Sequence, residues 1–245
     1  MKIKLFCIPY AGGSANAYMG WKRYFDKSIE VRPIELSGRG RRMNSPMYNN
    51  IDEVVEDLHR LIESETGKSA YAFFGHSMGS TIVYELSRRI SKLSGKEPLH
   101  LFVSGSTAPS VKGKDEKIHN LSDDEFKEKI MAYDGTPKEF FENKELSEFF
   151  LPILRSDFKI IESYEYIEKD YKLNCNLTAF WGIKDNMVEK DVAEWSNHTN
   201  GSFEIYRFDG GHFFINEYID SITGIINKTL LQYTDCFSKS IPVSC

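Results

Sequence analysis

The sequence predicts an α/β fold: one mostly parallel central sheet with helices on both faces. Three observations carry this. Short apolar runs alternate with helical patterns along the chain, one of these runs passes directly through a Gly-x-Ser-x-Gly turn into a helix, and 245 residues are enough for one substantial core without disulfide staples.

Lys2 to Ile8 is rich in Ile, Leu and Phe and stops at Pro9 and the pair Gly12-Gly13, so it is a buried strand ending in a loop. Val31 to Leu36 repeats the pattern. From Ile51 the apolar residues Ile51, Val54, Val55, Leu58, Leu61 and Ile62 share one helical face, which Gly67 closes. Ala70 to Phe74 is the next strand; Gly75-His76-Ser77-Met78-Gly79 follows it, then a helical pattern through Ile82, Val83, Leu86 and Ile90 that ends before Gly95. Leu99 to Ser104, Leu177 to Trp181 and Phe203 to Phe208 give three more strands, and Ile215 to Leu231 a final helix. Between Pro109 and Tyr171 the chain turns to charged and aromatic helices, with Ser122-Asp-Asp-Glu125 as a helix start and Lys144 to Tyr166 as a longer amphipathic stretch. This reads as a helical lid inserted into a single domain spanning 1–245; an ordinary pair of packing helices is the plainer alternative. Asp235 to Cys245 reads as a loose tail.

With 31 Lys plus Arg against 36 Asp plus Glu, the net charge of -5 gives none of the basic field that nucleic-acid binding uses. The four cysteines, Cys7, Cys175, Cys236 and Cys245, form no CxxC pair, so neither a zinc site nor a redox motif is expected; free thiols in a reducing compartment are. No apolar run is long enough for a membrane helix, and Leu5 to Ile8 is too short for a signal peptide. A cytoplasmic monomer that keeps clear of membranes is the expectation.

Gly75-His-Ser-Met-Gly79 is the sharpest signal. A bare G-x-S-x-G arises by chance in roughly one chain of this length in twelve, but here a strand precedes it and a helix follows, as a serine elbow requires. A serine hydroxyl needs a base. Of six histidines, His76 sits inside the elbow and should point away from the pocket, His59, His100 and His119 are simplest as packing or surface residues, and His198 lies in a polar loop and should be solvated. His212 follows the strand 203–208 through Asp209-Gly-Gly, at the sheet edge where α/β folds bind ligands. The orienting acid should also sit just past a strand: Asp185 fits, with Asp209 the rival and Glu189 behind it. The chain order Ser77, Asp185, His212 is that of an α/β-hydrolase. An oxyanion needs two backbone donors; Met78 N–H is one, and the loop Pro9-Tyr-Ala-Gly-Gly-Ser14 supplies the other, from Tyr10 or, as the near alternative, Ala11. The same loop lacks both the GxGxxG spacing and the lysine of a phosphate-binding loop.

Pro9-Tyr-Ala-Gly-Gly-Ser-Ala15, Glu35-Leu-Ser-Gly-Arg-Gly-Arg41, Phe74-Gly-His-Ser-Met-Gly79, Leu121-Ser-Asp-Asp-Glu-Phe126, Phe149-Phe-Leu-Pro152 with Arg155-Ser-Asp157, and Gly210-Gly-His-Phe213 resemble the type II thioesterases of non-ribosomal peptide and polyketide synthesis. The resemblance runs from residue 9 to about 215 and includes the insertion. It implies Ser77 as nucleophile, Asp185 as acid and His212 as base, no cofactor of the enzyme's own, and hydrolysis of acyl or aminoacyl thioesters on the phosphopantetheine arm of carrier proteins. Ser37 stands where the family usually has proline, which should loosen a loop near the pocket, and Ser80 where it often has glycine or alanine. Carrier proteins are generally acidic, so an enzyme of net charge -5 would need a local basic patch, for which Arg39, Arg41 and Arg42, with Lys22 and Arg23, are candidates. Pinning a loop is the alternative role for those arginines. The alternative activities are an esterase or lipase acting on free small esters, and a catalytically silent interaction module.

Overall fold

A computed structural model describes residues 2–111, 117–132, 143–168 and 171–239. Its six strands, β1 (Ile3–Ile8), β2 (Ile29–Pro33), β3 (Tyr71–His76), β4 (His100–Ser104), β5 (Asn176–Gly182) and β6 (Phe203–Phe208), pair in parallel in the order β2-β1-β3-β4-β5-β6. The helices are α1 (Ile51–Thr66), α2 (Met78–Ser94), α3 (Asp123–Ala132), α4 (Lys144–Glu162), α5 (Glu189–Ala193), α6 (Phe214–Glu217) and α7 (Ile219–Lys239).

Alternation along each strand divides the core into two layers. Phe6, Phe73, Leu101, Leu177 and Ala179 meet α1 and α2 through Val54, Leu58, Ile82 and Leu86. Leu5, Cys7, Phe74, Phe102 and Phe180 meet the opposite layer, where Tyr18 and Trp21 of a 3-10 segment (Ala15–Tyr24) join Ile222, Ile226 and Leu230 of α7. Every residue of β3 is buried, as a central strand covered on both faces requires.

Local chemistry sets the helix ends. The Asn50 side chain accepts Glu53 N–H at 3.0 Å and the Glu53 carboxylate accepts Asn49 N–H at 2.8 Å at the start of α1. At α3, Ser122 and Glu125 form a reciprocal capping pair, where the sequence places a helix start. Gly95 ends α2 with φ +66°, its N–H donating to the Ser91 carbonyl at 2.8 Å.

Several elements differ from expectation. β2 begins at Ile29 and ends at Pro33, because its pairing with β1 runs from Ile3↔Ile29 to Cys7↔Pro33, and Ile34 N–H to the Cys7 carbonyl at 2.9 Å is the bond that closes it. β3 continues to His76 because Gly75 and His76 still pair with Val103 and Ser104. The last helix is broken at Tyr218, whose hydroxyl donates to the Asp209 carbonyl at 3.3 Å, and it then runs to Lys239, so 235–239 are helical rather than a loose tail; 240–245 lie outside the described residues. In the insertion, α3 and α4 share a small core of their own, Ile118, Phe126, Ile130, Leu151 and Leu154, while Ile160 of α4 joins the main core. Among the described residues no helix is long and apolar enough to cross a membrane.

Three histidines are buried: His76, His100 and His198. His198, expected in solvent, instead bonds Tyr84 Oη through Nδ1 and Ser110 Oγ through Nε2, both at 2.9 Å, among the rings of Tyr84, Trp195 and Tyr166. Burial is the main cause that pushes all three below the ordinary 6.5, His100 and His198 to about 4 and His76 well below. A depressed folded-state value means that the unfolded chain takes up protons first, so this part of the stability is complete above pH 6.5 and is lost as pH falls toward 4. Each histidine should then cost about 1.4 kcal/mol per pH unit in that window. Urea unfolding at about pH 7 and about pH 5 checks this: His100→Asn should lose about 2 kcal/mol less than wild type over the interval.

Candidate active site

The strands are all parallel and neighbours end within two residues of one another in register, at Ile8, His76, Ser104, Gly182 and Phe208, so the loops that follow them gather at one edge of the sheet. β1 lies between β2 and β3, and the strand order reverses there; the loop after β1 and the elbow after β3 face each other across that switch point.

Ser77 is the one non-glycine residue with positive φ among the described residues (φ 54°, ψ -120°). A serine held there is strained by roughly 1–3 kcal/mol, and its surroundings enforce the turn. Ser77 N–H donates to the Ser104 carbonyl at 2.7 Å, and Ser80 N–H to the Ser77 carbonyl at 2.9 Å. The Ser80 hydroxyl, fully buried, lies 2.9 Å from the Gly75 carbonyl and 3.0 Å from that of Ser104, and it accepts Ser104 N–H at 3.0 Å. The serine at position 80 therefore braces the elbow. Both motif glycines are steric necessities: a Cβ on Gly75 would lie 2.2 Å from the Gly79 carbonyl oxygen, and one on Gly79 2.4 Å from that of Ile8. The second contact packs the elbow against the β1 loop. Ser77 caps α2 without a side-chain hydrogen bond, leaving its hydroxyl uncommitted.

His212 and Asp185 come together from adjacent loops. His212 Nδ1 stands 2.7 Å from Asp185 Oδ2, with the Asp185 side chain 8% exposed and that of His212 24%. Asp185 Oδ1 accepts Asn186 N–H at 2.7 Å, which fixes the carboxylate, and a Cβ on Gly182 would lie 2.4 Å from the Gly211 carbonyl oxygen, so glycine there lets the two loops touch. The rivals are engaged elsewhere: Asp209 pairs with Lys184 at 2.8 Å in solvent, and Glu189 with Arg207. His76 packs against this pair. Its ring is fully buried at 5.1 Å between centroids from that of His212, with Nδ1 bonded to Ser104 Oγ at 2.9 Å, because Phe213, Phe214 and Tyr10 close around it.

In the β1 loop, Gly12 N–H donates to Asp157 and Gly13 N–H to the Tyr10 carbonyl, whereas Tyr10 N–H and Ala11 N–H meet no acceptor among the described residues. Met78 N–H opens α2 with the helix dipole behind it. Three backbone donors are thus free on the two sides of the switch point.

The surface arginines are the main correction. Arg39 is 4% exposed and locked onto Asp157, so it cannot meet a docking partner. Arg42 forms a two-pronged pair with Asp57 at 2.7 and 2.8 Å and also reaches Tyr48, pinning the loop before α1. Arg41, Lys22 and Arg23 are exposed. Ser37 does not loosen its loop: its N–H donates to Tyr48 Oη at 3.2 Å and its hydroxyl to the Pro46 carbonyl at 2.6 Å, the first of which a proline could not make. Sequence reasoning overlooked Ser104, which holds both Ser77 and His76, and Asp157. The signal for Asp157 lay in the block Arg155-Ser-Asp157, one of those that carry the family resemblance. Cys7 and Cys175 are buried free thiols; burial raises both, Cys175 to about 12, leaving neither nucleophilic. Among the described residues no group of three or more His, Cys, Asp or Glu could hold a metal ion.

Residues 3–230 match the thioesterase domain family. The chain is 39% identical over 217 residues to the gramicidin S biosynthesis protein GrsT of Aneurinibacillus migulanus, covering 88% of this chain and 84% of that one. It is 37% identical over 236 residues to linear gramicidin dehydrogenase LgrE of Brevibacillus parabrevis, covering 95% and 89%. Among solved structures, the type II thioesterase BorB from the borrelidin biosynthetic cluster superposes with a TM-score of 0.85 at 34% identity, covering 94% of this chain and 93% of that one.

Proposed function

Because this chain belongs to the thioesterase domain family and is a thioester hydrolase, we propose that it releases acyl or aminoacyl groups from the phosphopantetheine arm of carrier proteins, clearing misprimed or stalled carriers of non-ribosomal peptide and polyketide assembly. The observation behind the mechanism is the Asp185–His212 pair, with the His212 ring packed on His76 of a strained serine elbow that has free backbone donors around it. Asp185 accepts the Nδ1 proton of His212, which leaves Nε2 as the base. His212 takes the Ser77 proton as the oxygen attacks the thioester carbonyl, and the carbonyl oxygen, now anionic, is met by Met78 N–H and by Tyr10 or Ala11 N–H. The thiol leaves, acyl-Ser77 remains, and water activated by His212 releases the acid. No cofactor of the enzyme's own takes part; the pantetheine belongs to the partner. α3 and α4 cover the acyl chain, and docking of an acidic carrier falls to Arg41, Lys22 and Arg23, the exposed members of the basic set.

The names of GrsT and BorB support this reading. LgrE carries the name of a dehydrogenase, but the loop after β1 here reads Pro-Tyr-Ala-Gly-Gly-Ser and lacks the spacing of a dinucleotide loop. Intact-mass monitoring of a panel of acyl-loaded carriers alongside a free p-nitrophenyl ester tests the proposal. Carrier turnover at a higher kcat/KM than the free ester is expected; strong preference for the free ester with no carrier turnover would leave an ordinary esterase.

A further inference from the structure

Asp157 ties three separate blocks of sequence into one buried cluster. Its Oδ2 accepts Gly12 N–H at 2.7 Å and Arg39 Nη1–H at 2.6 Å, and its Oδ1 accepts Arg39 Nη2–H at 2.6 Å. Arg39 Nη1 also donates to the Gly13 carbonyl at 3.0 Å. The amide of Gly12 and the carbonyl of Gly13 are therefore both held, directly beside the free amides of Tyr10 and Ala11. The same stretch of α4 packs on the loop, where a Cβ on Gly12 would lie 2.5 Å from Leu154 Cδ2, and is tied to the segment before α1 by the Ser156 hydroxyl, which donates to the Tyr48 carbonyl at 3.0 Å. A buried ion pair is weak evidence for stability, since apolar residues of similar volume often serve as well. What an apolar pair could not supply is an acceptor and a donor placed on these two backbone groups.

We propose that Asp157 and Arg39 are positioning residues for the reaction: their pair fixes the loop after β1 so that its free amides receive the oxyanion, which makes the C-terminal half of α4 part of the catalytic frame and not of a lid that opens. This rests on the hydrolase reading above. Positioning of this kind acts on the transition state more than on the bound substrate, because the oxyanion exists only after attack.

The test compares wild type, the apolar double variant Arg39→Met/Asp157→Leu, and Arg39→Lys, which keeps the charge but loses the two-pronged geometry. Each is assayed for kcat and KM on an acyl carrier, for affinity toward an acyl trifluoromethyl ketone that forms a tetrahedral adduct with the serine, and for binding of a non-hydrolysable acyl thioether. The double variant should fold, lose about 10²-fold in kcat, lose ketone affinity in parallel and bind the thioether within about twofold of wild type. If it folds and keeps kcat and ketone affinity within about threefold, the proposal is overturned. Should it fail to fold, Arg39→Lys decides: a roughly tenfold parallel loss in kcat and ketone affinity supports positioning, and wild-type values for both refute it. A wild-type enzyme that neither turns over the carrier nor forms the adduct defeats the hydrolase reading itself and this inference with it; folded variants that keep wild-type kcat and ketone affinity, beside an active wild type, defeat only the inference.

Discussion

Ser77→Ala is expected to lower turnover of acyl-carrier thioesters by at least about 10⁴-fold while leaving the fold in place, because without the nucleophile only oxyanion stabilisation and binding remain. The structural half of this expectation is as firm as the chemical half. The Ser77 hydroxyl caps no helix amide, so its removal leaves no partner unsatisfied. The elbow is held instead by backbone bonds from Ser77 N–H and Ser80 N–H and by the Ser80 hydroxyl, all of which survive the substitution. The strain at φ 54°, ψ -120° gives a companion test. Glycine adopts that conformation freely, so Ser77→Gly should be equally inactive and no less stable than Ser77→Ala in thermal unfolding. A large drop in the midpoint of both variants would mean that the serine is there for structure.

Asp185→Asn should cost about 10⁴-fold in kcat with little change in KM, and the reason can be followed atom by atom. Asn186 N–H donates to one oxygen of Asp185, and His212 Nδ1 meets the other at 2.7 Å. In the variant the carbonyl oxygen stays with Asn186 N–H, which puts the new NH₂ group against Nδ1. His212 must then present a lone pair at Nδ1 and carry its proton at Nε2, the nitrogen that should accept from Ser77. Steady-state kinetics on the acyl carrier checks this, with Asp209→Asn as the control. Asp209 is two-thirds exposed and bound to Lys184, so its variant should stay within about twofold of wild type. A collapse in Asp209→Asn with Asp185→Asn unharmed would reverse the assignment.

Features written locally in the chain could be read from it. Apolar runs gave the strands, the 3.6-residue spacing from Ile51 gave α1, and glycines at 75 and 79 marked a turn whose close backbone approaches exclude a Cβ. Asp185 and His212 could be chosen because each follows a strand end by a short glycine turn, and parallel pairing of β5 with β6 sets those two turns side by side. Features that depend on distant partners could not be read. Arg39 looks like a surface cation until Asp157, 118 residues later, is found against it. His198 sits in a polar run, but Tyr84 and Ser110, far from it in sequence, bury it. Ser37 in place of proline suggests a looser loop, whereas its partners Pro46 and Tyr48 are set by the fold of the whole loop. Polar pairing carries no periodicity, whether it spans a loop, as at Ser37, or more than eighty residues, as at Arg39 and His198.

In the proposed reaction Ser77 takes the acyl group from a carrier thioester with His212 as its base. The most direct measurement mixes the enzyme with a carrier loaded with a slowly hydrolysed acyl group, quenches in acid at short times, and records the intact mass of the enzyme followed by peptide mapping. The expected result is a mass increase equal to the acyl group, located on the peptide containing Ser77, absent in Ser77→Ala and strongly slowed in His212→Ala. Clearance of the carrier with no acylated enzyme at any time, or acylation at another residue, would contradict it.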